Sequence, residues 1–364
     1  MRILLLTRYA AMAPSTRYRF IQFVPLFERE GHTVEVRPML SDEYLKALYD
    51  EGRRSAHHLL AGYWNRGVQL RGLGDCDLVI CEQEFLPYFP AFIETLIARR
   101  CPRLIVDYDD AAYYKYRHLP NLRKRIPALM AAAEVVVVGN HHLEHFARRH
   151  NRNVRVIPTV VDTTRYTLKQ DYTARAGIKL VWIGTPVTAQ LLRPIAPVLN
   201  KLRDKYPVLR LRLIGAGNGL CDVLPFAEVV EWSEAKEANL LSECDIGLMP
   251  LSDNDFTRGK CGLKLIQYMA AGLPVVGSPV GANCEIISEG EDGYLAGQPQ
   301  EWDAALERLI TSENLRRDFG RNGAAKVRQR YSLAKGFDAW IELVEPTRPW
   351  DTKPLKNAGT EVGS

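Results

Sequence analysis

The chain has 364 residues and a mass of 41.2 kDa, a length that favours two domains over one. Its composition, 46% hydrophobic and 25% charged, is that of a globular protein and excludes a disordered or collagen-like chain. The seven cysteines lack C-x-x-C spacing, so neither a disulfide framework nor a zinc site is expected. The apolar run 3–6 is too short for a signal peptide or a membrane span, so we expect a protein in the cytoplasm or on the cytoplasmic face of the membrane.

Apolar runs of strand length alternate with stretches of helical periodicity along the first half of the chain, which predicts an α/β domain. Strands are predicted at 2–7, 33–37, 77–81, 103–107, 134–138 and 154–157. Helices are predicted at 16–30, 42–72, 87–99, 120–132 and 140–149. The strands are apolar almost throughout, which indicates a parallel sheet covered on both faces.

The second half repeats this alternation and predicts a second doubly wound domain. Strands are predicted at 179–183, 209–214, 228–231, 245–249 and 274–277. Helices are predicted near 188–205, 234–243, 262–271, 283–289, 300–311 and 313–330. A polar, Thr-rich stretch after Pro158 predicts the linker. The domains are therefore placed at 1–165 and 166–332, followed by a helical segment at 333–350 that would cross back to the first domain and a loose tail at 351–364.

Positive charge is concentrated in the first half: residues 1–165 hold 24 Lys and Arg against 18 Asp and Glu. Basic clusters at Arg99-Arg100, Arg123–Arg125 and Arg148-Arg149 suit an anionic membrane or a phosphorylated lipid. A solvated helix face explains any single cluster more simply. No nucleic-acid-binding motif accompanies the charge, so nucleic acid is not an expected partner.

The densest candidate chemistry lies in 258–279, RGKCGLKLIQYMAAGLPVVGSP. Arg258, Lys260 and Lys264 surround Gly262 at the predicted start of a helix, where unpaired backbone N–H groups favour an anion. A diphosphate suits this pattern because Gly262 permits close approach of the backbone and the cations supply charge. A solvated helix start explains the three cations about equally well.

This segment resembles the nucleotide-sugar signature of retaining glycosyltransferases of family 4, which have the two-domain GT-B fold. The resemblance covers the second half of the chain nearly end to end, whereas the first half matches mainly in architecture. The supporting marks are Ile157-Pro158, Val161-Asp162, the run 245–250, Gly272-x-Pro274, Gly281, Gly293–Leu295 and Tyr331-Ser332.

The resemblance implies an α/β protein of two Rossmann-like domains facing a central cleft, which transfers a sugar from a nucleotide-diphosphate sugar, such as a UDP- or GDP-sugar. The acceptor would be a glycan, a lipid-linked or another hydroxyl compound of cell-envelope polysaccharide assembly. No metal and no further cofactor is implied, because cations and a helix N-terminus can neutralise the leaving diphosphate. The donor-binding and catalytic residues implied in this segment are Arg258, Lys260, Gly262, Leu263, Lys264 and Gln267.

The sequence departs from the family at two glutamates separated by seven residues, of which the first touches the donor sugar and the second the ribose. Here these positions are Gly259 and Gln267. A Gln amide still suits a ribose diol, but Gly259 offers no side chain. Asp253 and Asp255 on the preceding loop are candidates for the missing carboxylate or, more simply, turn residues.

Glycines follow two predicted strands of the second domain. Gly184, with Thr185 beside it, stands where family members often carry a basic pair, and Gly215 opens a G-x-G turn after the next strand. Both glycines would let a phosphate, sugar or base approach, and the Thr185 hydroxyl would donate a hydrogen bond. Thr188 is equally well a plain helix N-cap, and a lone G-x-G is common in ordinary turns.

In the first domain, Arg17 and Arg19 open a helix after the first strand and are assigned to the donor diphosphate, with decoration of the helix as the alternative. Acidic clusters at 82–84 and 107–110 follow two strands, at the edge of the sheet where ligands collect. Asp109 is the candidate for binding the acceptor hydroxyl or for taking the proton that it releases. Pairing with an arginine of the 117–125 stretch is the structural alternative.

Adjacent histidines at His57-His58 and His141-His142 point apart on a helix, so surface or cap positions are expected rather than a metal site. Cys261 is either a thiol activated by its cationic surroundings or, more commonly, a small buried hydrophobe. Two other functions stay open. A nucleotide-sugar epimerase of GT-B fold would need a pair of carboxylates at the sugar, and Gly259 provides none. A protein that only binds the nucleotide sugar would have little use for the three cations.

Overall fold

The computed structural model describes residues 1–51, 55–174, 177–346 and 350, so the tail predicted at 351–364 lies outside the described residues. The chain divides into two compact units. The first comprises Met1–Thr159 with the described residues from Gly336 onward, and the second comprises Val160–Lys335. The boundary predicted at 165/166 falls inside the second unit, in a 3-10 turn at Thr163–Arg165.

Each unit contains a parallel sheet that has six strands within the described residues. The strands are β1 (Arg2–Tyr9), β2 (Thr33–Leu40), β3 (Leu78–Glu82), β4 (Leu104–Tyr108), β5 (Val135–Val138), β6 (Val154–Val156), β7 (Lys179–Ile183), β8 (Arg210–Ile214), β9 (Ala227–Val230), β10 (Ile246–Met249), β11 (Val275–Gly277) and β12 (Gly293–Leu295). The predicted strands are confirmed to within a few residues, and β12 was not predicted because its three residues give no periodic signal.

Helices cover the sheets. They are α1 (Pro14–Arg19), α2 (Val24–Arg29), α3 (Asp42–Glu51), α4 (Ala56–Gln69), α5 (Ala91–Ala98), α6 (Arg125–Ala132), α7 (His141–Ala147), α8 (Pro186–Ala189), α9 (Ala196–Lys205), α10 (Glu234–Ser242), α11 (Asp255–Arg258), α12 (Leu263–Ala270), α13 (Asn283–Ile286), α14 (Pro299–Thr311), α15 (Glu313–Arg330) and α16 (Leu333–Val344). In the described part of the chain, no helix is both long and apolar enough to cross a bilayer.

Three predicted helices are interrupted, and proline accounts for two of the breaks. Pro25 is the second residue of α2 and divides the helix predicted at 16–30. Pro194 lies in a 3-10 turn that divides the helix predicted at 188–205. Proline has no N–H to donate and disfavours a helical residue before it. The helix predicted at 42–72 is two helices, the second of which is capped by Ser55.

The last helix, α16, belongs mainly to the first unit. Trp340 is 1% exposed, and its ring centroid lies 6.3 Å from that of Phe20 and 6.4 Å from that of Phe23. The Arg103 guanidinium donates to the carbonyl oxygens of Leu343 at 3.1 Å and Val344 at 2.9 Å. The contacts of Arg103, which directly precedes β4, fix the end of α16 against the amino-terminal end of that strand.

The strand orders locate a crevice in each unit. The first sheet runs β2-β1-β3-β4-β5-β6 and the second β12-β11-β10-β7-β8-β9. The direction of winding reverses between β1 and β3 in the first sheet and between β7 and β10 in the second. At such reversals the loops after the two strands diverge, and ligands of doubly wound proteins bind at the carboxyl ends of the strands there.

Candidate functional site

Three backbone segments converge at the winding reversal of the second sheet. Gly184 follows β7, and a Cβ built on it would lie 2.5 Å from the ring of Trp182 and 3.0 Å from Cε of Lys264. The Lys264 Nζ lies 5.3 Å from the centroid of the Trp182 ring. Gly215 follows β8, and a Cβ there would lie 2.6 Å from the carbonyl oxygen of Gly184. The two glycines thus allow β7, β8 and Lys264 to pack closely, because a side chain at either position would collide with neighbouring atoms of the chain.

Replacing Gly215 by Ala is expected to lower the free energy of unfolding by about 2 to 3 kcal/mol. Gly215 has φ +72°, and the new methyl group would meet the backbone of Gly184. Gly290 is a matched control because it has φ +76° with nothing within 4 Å of a built Cβ. Urea unfolding of Gly215→Ala and Gly290→Ala separates the cost of a left-handed backbone from the cost of the collision with Gly184. Equal losses would contradict the packing role of Gly215.

Helix α12 is held against both strands that flank the reversal. The buried Tyr268 hydroxyl accepts a hydrogen bond from the Ile183 amide at 3.0 Å and donates one to the Leu248 carbonyl at 3.3 Å. Gly262, the N-cap, has φ +67°. The first-turn N–H groups of any helix have no acceptor within it and create a partial positive charge. The start of α12, with half-buried Lys264 in its first turn, is therefore placed to bind an anion.

The three predicted cations differ in their surroundings. Arg258 is exposed and forms a two-point ion pair with Asp253, at 2.6 and 3.0 Å, and a longer contact with Asp255 at 3.7 Å. Half-buried Lys260 lies with its Nζ 4.5 Å from the centroid of the Phe256 ring. The two aspartates proposed to replace the missing sugar-contacting carboxylate thus offset the charge of Arg258. Lys260 and Lys264 are candidates for phosphate contacts because they flank Gly262 at the start of α12.

Gln267 belongs to a buried network that the sequence did not reveal. Its side-chain amide donates to Glu237 Oε1 at 2.7 Å. The same carboxylate accepts from the Trp232 indole at 2.7 Å and from the Tyr166 hydroxyl at 3.3 Å. Gln267 and Glu237 are only 3% and 4% exposed. At the position assigned to a ribose contact, a carboxylate is therefore present beside the amide, supplied by α10.

Thr185 and Leu263 complete the predicted donor contacts of the second unit. Thr185 is the N-cap of α8, and its amide donates to the Thr188 hydroxyl at 3.2 Å, in a capping box. The two hydroxyl oxygens lie 3.2 Å apart. Leu263, the first residue of α12, is half-buried. Capping explains the pair of threonines without a ligand, but the N-cap is Thr185 and not Thr188, which is the third residue of the helix.

The two predicted arginines of the first unit hold its own backbone together. Arg17 is 6% exposed and donates to the carbonyl oxygens of Ala11 at 2.9 Å and Met12 at 2.7 Å. Arg19 is 2% exposed and donates to Asp107 Oδ2 at 3.0 Å and to the Ile157 carbonyl at 2.6 Å. The sequence assigned both to the donor diphosphate, whereas this geometry favours structural roles for them.

The carboxyl ends of β3 and β4 carry the acidic cluster that the sequence predicted. Gln83 directly follows β3 with φ 60°, a left-handed conformation that is strained for a side chain of this kind. Its amide donates to Asp109 Oδ1 at 3.2 Å. Burial, and then the neighbouring charges of Asp110 and Glu82, raise the pKa of Asp109 to about 8. A carboxyl group of this kind can exchange a proton with a hydroxyl near neutral pH.

Asp109→Asn is expected to stabilise the protein above neutral pH. Since the folded-state pKa of Asp109 is raised from 3.8 to about 8, the folded state holds a proton that the unfolded chain releases. The stability linked to Asp109 is therefore full below pH 3.8 and is lost as the pH rises to about 8. The variant should gain about 1 to 3 kcal/mol relative to the original chain between pH 4 and 9. Urea unfolding at several pH values measures this difference, and parallel stability curves would contradict it.

Glu84 is the centre of a buried ion cluster at the same edge of the first sheet. It accepts from Arg125 at 2.9 Å and from the Tyr116 hydroxyl at 2.7 Å, and it pairs with Lys115. Arg125 is fully buried and also pairs with Glu94 at 2.8 Å. Burial is the largest cause of a Lys115 pKa lowered to about 8. The basic cluster predicted at 123–125 is thus divided, because Arg125 belongs to the interior.

The paired histidines occupy cap and surface positions. The Nδ1 of His58 lies 2.9 Å from the hydroxyl of Ser55, the N-cap of α4. The exposed His141 pairs with Glu144 at 2.7 Å, and His142 lies 3.1 Å from the Tyr113 hydroxyl. Within residues 1–51, 55–174 and 177–346, no group of three or more His, Cys, Asp or Glu side chains is suited to hold a metal ion. Half-buried Cys261 points its Sγ to the Gly259 carbonyl at 3.7 Å.

Comparison with known proteins places the candidate donor residues of the second unit within a recognised region. Residues 177–312 match the family model described as glycosyl transferases group 1. A curated relative, N-acetyl-alpha-D-glucosaminyl L-malate synthase of Bacillus anthracis, is 23% identical over 236 residues, which cover 59% of this chain and 60% of the relative. The chain therefore matches about 60% of the length of that relative.

Solved structures extend the likeness over nearly the whole chain. Anabaena Alr3699/HepE, solved in complex with UDP and glucose, is 14% identical with a TM-score of 0.71, and the match covers 94% of this chain and 99% of that one. WaaG, a glycosyltransferase involved in lipopolysaccharide biosynthesis, is 14% identical with a TM-score of 0.67, covering 95% of this chain and all of that one. At this level of identity the likeness shows the fold. The chain thus has the α/β, two-domain GT-B fold, and its second unit carries the region that matches the glycosyl transferases group 1 model.

Proposed function

We propose that this protein is a retaining glycosyltransferase of the family 4 type that uses a nucleotide-diphosphate sugar. The observation that carries the proposal is the convergence of Gly184, Gly215 and Lys264 with the start of α12 at the winding reversal of the second sheet. The region matched by the family model contains all of these residues. That a protein of the same fold was solved with UDP and glucose supports a nucleotide-sugar donor here.

The donor diphosphate would bind the second unit through Lys260, Lys264 and the N–H groups of α12. As the bond from the anomeric carbon to the diphosphate breaks, negative charge accumulates on the leaving oxygen, and these groups stabilise it without a metal ion. Glu237 and Gln267 would hydrogen-bond the ribose. Gly184 and Gly215, which have no side chain, would let the backbone at the ends of β7 and β8 approach the phosphates and the base.

The acceptor would bind the first unit near Asp109, at the carboxyl ends of β3 and β4. Its hydroxyl oxygen bonds to the anomeric carbon on the face that the diphosphate leaves, which retains the anomeric configuration. The hydroxyl proton passes to an oxygen of the departing diphosphate, so this step needs no protein base. Because the acceptor oxygen bonds directly to the anomeric carbon, no protein nucleophile is needed either. We propose a glycan or lipid-linked acceptor of cell-envelope assembly and a cytoplasmic site of action.

A panel of UDP, GDP, ADP and their sugar conjugates tests this function, because a ligand bound only by the folded state raises its melting temperature. We expect one nucleotide to stabilise the protein and its sugar conjugate to be consumed when acceptor hydroxyls are supplied. The absence of a carboxylate at Gly259 favours, as the second candidate, a protein that only binds the nucleotide sugar. Stabilisation without turnover would support that second candidate, and no response to any nucleotide would contradict both.

A further inference from the structure

Helix α4 turns apolar side chains to solvent and a charged side chain to the interior. Leu60, Trp64 and Val68, spaced four residues apart on one face, are 72%, 74% and 46% exposed. Arg66 is 1% exposed and donates to the backbone carbonyl of Thr7 in the sheet. Surface helices ordinarily have the opposite polarity. The outward face of α4 is therefore suited to a non-aqueous partner.

Helix α5 continues this apolar surface. Phe92 and Leu96, also four residues apart, are 68% and 59% exposed. Tyr63 of α4 contacts the segment that leads into α5: its ring centroid lies 5.7 Å from that of Phe89, and its hydroxyl donates to the Pro87 carbonyl at 2.8 Å. The crossovers from β2 to β3 and from β3 to β4 run in the same direction, which places both helices on one face of the sheet. The apolar patch is defined as Leu60, Trp64, Val68, Phe92 and Leu96.

The segments that carry the apolar patch are poor in acidic side chains, and exposed Glu43, Asp75 and Asp77 lie next to them. Segments 55–74 and 111–133 contain no Asp or Glu, and segment 85–106 contains only Glu94, which is buried against Arg125. The exposed charged side chains of these segments are therefore all Lys or Arg. The exposed cations are Arg71, Arg99, Arg100, Arg117, Arg123 and Lys124. Below, these six cations are called the basic border of the apolar patch.

We propose that the apolar patch and its basic border dock onto an anionic lipid bilayer. A bilayer surface offers apolar chains to the patch and anionic headgroups to the border, and stable peripheral binding needs both. Tryptophan is enriched at this interface because its ring is amphipathic. A second copy of the chain seated on the patch by twofold symmetry would oppose the same cations, which disfavours self-association.

This docking gives the proposed function its acceptor class. Lys115, which forms an ion pair with Glu84, lies in the same segment as the exposed Arg117 and Arg123 of the basic border. Docking therefore brings the carboxyl-end edge of the first sheet near the headgroups, where a lipid-linked hydroxyl resides. The acceptor assignment rests on the proposed function, whereas the docking itself does not.

Flotation of the full chain with vesicles tests the docking. At low salt the protein should bind vesicles of phosphatidylcholine with about one-third phosphatidylglycerol and not phosphatidylcholine alone. Arg123→Ser with Lys124→Ser should weaken partition by about 30-fold. Trp64→Ser with Phe92→Ser should weaken it by at least about tenfold. Brominated lipid should quench tryptophan emission in the original chain and much less in Trp64→Phe.

Matched controls lie in the second unit. Arg328→Ser with Arg330→Ser removes two exposed cations from α15, and Val187→Ser removes a valine that is 72% exposed. These controls should leave partition unchanged. No vesicle binding by the original chain, equal losses in patch and control variants, or loss of a concentration-dependent dimer in the patch variant would each overturn the proposal. Stabilisation by nucleotide, measured on the same variants, is a separate readout and reports on the proposed function alone.

Discussion

Lys260→Ala is expected to lower kcat/KM for sugar transfer by at least about 100-fold while the protein stays folded. Lys260 is half-buried just before the N-cap of α12, and Arg258, the other cation before that cap, shares its charge with Asp253. Its place just before the N-cap of α12 would let Lys260 supply positive charge to the leaving diphosphate. Steady-state transfer and calorimetric binding of the preferred nucleoside diphosphate measure the loss.

Two further variants make the Lys260 result interpretable. Lys260→Arg keeps the positive charge and should retain a measurable part of the activity. Lys236→Ala removes an exposed cation of α10 in the same unit and should leave transfer and nucleotide affinity unchanged. Melting temperatures should agree among all three. Unchanged transfer by Lys260→Ala would remove Lys260 from the phosphate site.

The sheets could be predicted from the sequence because their strands are continuous apolar runs. β5, with four consecutive valines, and β4 are buried throughout. Parallel strands covered on both faces need no alternation, so each appears as an apolar block between turn residues. Helix ends were harder to place. The 16–30 and 188–205 stretches keep their helical spacing of apolar residues across prolines that divide them.

The partners of charged side chains could not be predicted. Gln267 and Glu237 are separated by about one helix and one strand, and only the packing of α10 on α12 brings them together. Arg125 has the same local composition as its exposed neighbour Lys124, yet it is fully buried between Glu84 and Glu94. A side chain's periodic position shows which way it points, but not which ion lies opposite after the sheet has formed.

Arg19→Leu is expected to destabilise the first unit by about 3 to 5 kcal/mol. Arg19 and Asp107 are both buried, and the guanidinium binds the two carboxylate oxygens while a third N–H reaches the Ile157 carbonyl. Removing the arginine leaves a carboxylate in the interior without its counter-ion. Burial already raises the pKa of Asp107 despite Arg19, so the loss should shrink at low pH, where a neutral carboxyl replaces the charge. Urea unfolding at pH 5 and pH 8 measures both effects.

The double variant Arg19→Leu with Asp107→Leu separates the structural role of Arg19 from the donor contact that its sequence position predicted. Replacing a whole buried ion pair by apolar side chains is often nearly neutral, so the double variant should recover most of the lost stability. If the pair is purely structural, nucleotide should then raise the melting temperature of the double variant as it does that of the original chain. A stable double variant that no longer responds to nucleotide would instead assign Arg19 to the diphosphate.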